Sequence, residues 1–78
     1  MKLGYSSLAA FLAHYRILRR AAQLTGDERE RLAEMTKLIE ALTPNDRDAI
    51  ESGAAERQFE RALRNLHRLL VERGVLSG

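Results

Sequence analysis

The chain is 78 residues long, with 13 Lys plus Arg against 11 Asp plus Glu, 45% hydrophobic residues and no cysteine. A chain of that size holds one domain with a thin core, and without cysteine it has neither disulfides nor thiolate zinc sites to reinforce it, so oligomerisation is the expected support. The charge is uneven. Residues 1–24 carry four basic and no acidic groups, residues 25–53 four basic and eight acidic, and residues 54–78 five basic and three acidic, so an acidic middle helix is expected beside basic outer ones.

Near the N-terminus, the apolar stretch from Leu8 to Ala13 is interrupted by His14 and Arg16 well short of a membrane span. It reads as neither a signal peptide nor a transmembrane helix, and a cytoplasmic protein without membrane partners is expected. Ser6 or Ser7 caps a first helix running to about Leu24. Leu8, Phe11, Leu12, Tyr15, Leu18 and Ala22 form one apolar stripe of that helix, and Ala10, Ala13, Ile17, Ala21 and Leu24 form a second on nearly the opposite face. Only a narrow strip with Arg16 and Arg20 is plainly polar. A helix apolar on two sides is central in its own bundle or shared between subunits. In so small a chain the second stripe is expected to be a protein interface, with Arg16 and Arg20 at its rim and its small residues permitting close helix approach.

Thr25-Gly26-Asp27-Glu28 is a capping box and starts a second helix, to about residue 42. Its Leu32, Met35, Leu38, Ile39 and Leu42 share one arc, with Glu30, Glu34, Lys37 and Glu40 mostly on the other. Thr43-Pro44-Asn45-Asp46 supplies a cap, a proline in the first turn and an early acidic residue for a short third helix over 44–52, which Gly53 ends. A fourth helix is expected over 54–73, with Gly74 as its left-handed stop. No alternating strand pattern competes, so the chain reads as an all-α bundle forming one helical domain over 1–78, with three long helices and one short one completed by oligomerisation.

Within the fourth helix, Arg57, Arg61, Arg64 and Arg68 recur at i, i+4, i+7 and i+11, which confines them to one narrow stripe opposite Phe59, Leu63, Leu66, Leu69 and Leu70. The stripe covers about 16 Å of helix, enough to follow several phosphates or an acidic partner helix. Glu60 and Glu72 stand at pairing distance in sequence, so part of this charge is expected to be neutralised within the helix. Arginine makes up eleven of the thirteen basic residues and suits bidentate contact with carboxylate or phosphate.

The string Leu42-Thr43-Pro44-Asn45-Asp46-Arg47-Asp48-Ala49-Ile50 resembles the opening of the helix-turn-helix domain of LuxR-type response regulators, which begins Leu-Thr-Pro and continues with an acidic-Arg-acidic run and an aliphatic residue. The resemblance covers nine residues and implies DNA binding. Beyond Ile50 the pattern departs: Gly53 arrives about a turn early, and no room follows Phe59 for a separate turn and recognition helix.

No pattern for catalysis is present. The only imidazoles, the side-chain type that exchanges protons near neutrality, are His14 and His67, and neither stands in a nucleophile or metal-ligand motif. The acidic residues Asp46, Asp48 and Glu51 lack calcium-loop spacing. The chain is therefore expected to be a non-enzymatic interaction or regulatory module with no cofactor, metal or small-molecule substrate. Its partner would be itself or another helical protein, and the alternative is a DNA-binding regulator that uses the arginine stripe on phosphates.

Overall fold

Three of the four helices begin where a hydroxyl can take up an exposed backbone amide. Ser7 accepts from the amide of Ala10 at 3.1 Å, Thr25 from Glu28 at 3.2 Å and Thr43 from Asp46 at 3.3 Å. The computed structural model describes residues 3–53 and 56–76. Its helices are α1 (Leu8–Arg20), α2 (Gly26–Glu40), α3 (Pro44–Ser52) and α4 (Glu56–Glu72). The protein is all-α, and no helix among the described residues is long and apolar enough to cross a membrane.

At Thr25 the capping box is complete: its amide donates to Glu28 Oε1 at 2.9 Å while the Glu28 amide donates to its hydroxyl. Gly53 closes α3 in the left-handed region, with φ 64° and its N–H donating to the Ala49 carbonyl. Gly74, with φ 72°, closes α4, its N–H donating to the Val71 carbonyl at 3.1 Å and that of Val75 to Leu70 at 2.8 Å. This reciprocal pair turns the chain off the helix axis and presses Val75 back toward Leu70.

Helix α1 ends four residues earlier than its composition predicts. Ala21 is extended, with φ −65° and ψ 133°, although Ala21, Ala22 and Gln23 would all be tolerated in a helix. Residues 21–24 are instead used to turn the chain into the cap at Thr25, and Leu24 folds inward, half-buried against the core. Tertiary closure overrides local propensity here, and Ala22 lies exposed in the connection rather than on an apolar stripe. The expected start of α4 at 54 falls outside the described residues.

The core is shared by all four helices. Phe11 and Leu18 from α1, Met35 and Ile39 from α2, and Leu66 and Leu70 from α4 are the largest fully buried side chains, with Ala49 and Ile50 buried from α3. Helix α1 packs chiefly on α2 and α3 on α4, so the bundle consists of two helical pairs with α2 touching both. The chain ends join these pairs. The Tyr5 amide donates to the Val75 carbonyl at 2.8 Å, Tyr5 and Leu76 form an isolated parallel bridge, and Leu3, Val75 and Leu76 are buried around it.

Two stability outcomes follow. Replacing Gly74 with Ala meets no steric obstacle but forces a side chain into left-handed backbone, so chemical denaturation is expected to show a loss of about 1–2 kcal/mol. Gly26→Ala, at a position without positive φ, is expected to show no such loss. The hydrogen bonds from the Thr25 amide and then its hydroxyl hold the Glu28 carboxyl below its ordinary range. Because folding lowers it, the stability it adds is present above the carboxyl's unfolded-state value and lost as pH falls through the folded one. In thermal melts across the acid range, the advantage of the native chain over Glu28→Gln is expected to shrink as pH falls.

Candidate functional site

Arg19, near the end of α1, is held in place on three sides. It donates to Glu51 Oε1 at 3.1 Å, reaches Tyr15 Oη at 3.4 Å, and its guanidinium lies 5.5 Å from the Tyr15 ring centre. Arg16, Arg19 and Arg20 line an open cleft of about 750 Å³ against Asp48, Glu51 and Ser52 from α3. Arg19 pairs with Glu51 across the cleft and braces α1 against α3, whereas Arg16 and Arg20 have no carboxylate within 4 Å among the described residues.

The outer face of α1 is different in character. Ile17 is 65% exposed, the largest exposure of any big aliphatic residue described, and Ala13, Arg16 and Arg20 are exposed with it while Ala10 is half-buried. Of the apolar interface read from the sequence, Ala10, Ala13 and Ile17 do lie together on this helix. Ala21 and Leu24 do not, because the helix stops at Arg20 and Leu24 turns toward the core. The stripe is therefore about two turns long.

Beside this face is a feature the sequence did not reveal. Where α1 and α4 converge without closing, an apolar groove of about 310 Å³ opens between Leu8, Ala9, Leu12 and Ala13 on one side and Phe59 and Leu63 on the other, with Arg16 at its rim. Phe59 and Leu63 have the periodicity of core residues, yet both are only half-buried, as is Leu8. Their spacing marks them as inward-facing, but periodicity within one helix carries no information about how closely a neighbouring helix approaches.

On α4 all four stripe arginines, Arg57, Arg61, Arg64 and Arg68, are exposed. Among the described residues none has a carboxylate within 4 Å, so the expected pairing with Glu60 and Glu72 does not form. Such surface pairs gain little over hydration. Arg68 instead donates to Asn65 Oδ1 at 2.7 Å, and Asn65 Nδ2 donates to Asp46 Oδ2 at 2.8 Å, a relay that ties the start of α3 to α4.

The imidazoles lie apart in role. His67 is exposed, while half-buried His14 shares a 2.7 Å hydrogen bond through Nδ1 with the Tyr5 hydroxyl, which also lies 3.6 Å from Met35 Sδ and 3.5 Å from Arg31 Nη1. This cluster fastens the N-terminal segment to α1 and α2. No group of three or more metal-ligating side chains occurs among the described residues.

The nine-residue likeness to a helix-turn-helix opening ends with α3, since α4 runs unbroken from Glu56 to Glu72 with no turn in which a recognition helix would begin. The string at Leu42–Ile50 is accounted for by the Thr43 cap and a first-turn proline. No family model matches the chain, and no curated protein or solved structure matches it.

Proposed function

We propose that this chain is a non-enzymatic protein-interaction module whose working surface is the α1 side of the bundle, comprising the outer face around Ile17 and the groove shared with α4. The observation that carries this reading is their adjacency. One exposed isoleucine on a surface needs no explanation, but Ile17 lies one turn beyond Ala13, and Ala13 lines the groove. The non-polar surface is thus continuous across two helices, with Arg16 and Arg20 beside it, an arrangement that suits a docked helix better than a small substrate.

Self-association is the first form of this proposal. Two copies meeting through α1 would bury Ala10, Ala13 and Ile17, with the arginines at the rim. A stable dimer buries about 800 Å² per partner, more than two helical turns supply, so a homodimer would also draw on neighbouring surface. Light scattering over a range of concentrations tests this. The native chain is expected to associate reversibly, and Ile17→Glu to yield a monomer of unchanged helicity. Association that Ile17→Glu leaves intact would exclude this face.

A second reading rests on the four exposed arginines of α4, which have no carboxylate partner within 4 Å among the described residues. In it, they follow the phosphate backbone of duplex DNA without reading its sequence. Binding is then expected to weaken steeply with salt. Arg61→Ala with Arg64→Ala is expected to lower the logarithmic salt slope by about two, one for each phosphate that no longer meets a guanidinium. Titrations by fluorescence anisotropy that give the same slope for both proteins would dismiss the stripe as a DNA-binding surface.

A further inference from the structure

We propose that the groove between α1 and α4 receives an amphipathic helix of a second protein, one whose apolar ridge is flanked by Asp or Glu; this rests on the interaction-module reading above. The shape argues for a helix. Leu12, only 6% exposed, forms the floor, and half-buried Leu8, Phe59 and Leu63 form the walls. A furrow between two helices fits side chains spaced i, i+3 or i+4, and i+7 on a third. At about 310 Å³ it lies at the lower limit of small-molecule pockets, and among the described residues Arg16 is the single charged group that lines it, without the converging polar groups that orient a small ligand.

Charge selects the partner. From Leu3 to Leu24 the chain contains no Asp or Glu, while Arg16 borders the groove and Arg20 stands one turn further along the same helix. Arg64 follows Leu63 directly on the opposite wall and is exposed. Glu60, next to Phe59, and Glu56, three residues before Phe59 in sequence, are the acidic neighbours there. A ridge flanked by lysine would meet like charge along α1, whereas one flanked by carboxylates gains both steering and rim contacts.

The same inventory disfavours a second copy as the occupant. The acidic helix of this chain, α2, already buries Met35, Leu38 and Ile39 in its own core, so a copy offers acidic charge without a free apolar ridge. A copy's α1 offers an exposed isoleucine but brings arginines to an arginine rim.

The test uses the full chain and two labelled synthetic helices of about four turns. Both carry Leu at i, i+3, i+4 and i+7, one with Glu and the other with Lys at its flanking positions, and binding is followed by fluorescence anisotropy. The Glu-flanked helix is expected to bind at least about tenfold more tightly than the Lys-flanked one. Arg16→Gln should narrow that gap. Ala9→Glu, an exposed substitution in the groove wall that leaves the fold intact, should weaken binding of the Glu-flanked helix by at least about tenfold. Equal binding of the two helices would overturn the acidic partner while leaving the groove as an interaction site. Self-association abolished by Ala9→Glu would assign the groove to a second copy and overturn the proposal in that way. Binding of neither helix, by a chain that stays monomeric at all concentrations, would overturn both this inference and the reading beneath it.

Discussion

The contact between the segment before α1 and the segment after α4 adds a second link between two helical pairs that α2 already joins. Helix α1 rests on α2 and α3 on α4, and each pair alone would leave apolar surface in water. The Tyr5 to Val75 hydrogen bond, buried among Leu3, Val75 and Leu76, draws the start of α1 to the end of α4. A buried backbone pair of this kind must be satisfied or it costs free energy, so the closure is specific. It also determines the groove: α1 is anchored beside α4 at one end and to α3 through Arg19 and Glu51 at the other, but is not packed against α4 along its length.

What the sequence made legible was local. Thr25 with Glu28, Thr43 with Pro44, Gly53 and Gly74 mark helix boundaries because each supplies a missing hydrogen-bond partner or a permitted left-handed conformation within a few residues, and the structure places all of them in those roles. The buried side chains of α1 and α2, Phe11, Leu18, Met35 and Ile39, follow from helical period in the same way. What escaped was tertiary. Nothing in Ala21-Ala22-Gln23-Leu24 forbids another helical turn, and only the need to reach the next cap ends α1 at Arg20. Phe59 and Leu63 fit the inward arc of α4, yet their partial exposure depends on where α1 lies.

The two basic surfaces illustrate how similar composition yields different physics. At the end of α1 the arginines face carboxylates across a cleft, and Arg19 is held by an ion pair, a phenol oxygen and an aromatic face at once. For Arg19 that arrangement lends rigidity and consumes charge, while Arg16 and Arg20 have no carboxylate within 4 Å among the described residues. Along α4 the guanidinium groups extend into solvent, and the one with a short hydrogen bond, Arg68, uses a neutral amide. Its charge remains available to the surroundings. Net charge alone, +2 for the whole chain, conceals this division.

The pairing of Tyr5 with Val75 also bears on how the domain tolerates rewiring. The segments at Tyr5 and Leu76 lie side by side and run in parallel, so a linker long enough to double back would join them at an entropic cost that grows only slowly with its length. The exposed connection Ala21-Ala22-Gln23 then offers a place to reopen the chain between two intact helices. In such a circular permutant α1 would come last and α2 first. The core would be unchanged, and the closure that the native chain reaches only by folding would already be built into the covalent backbone.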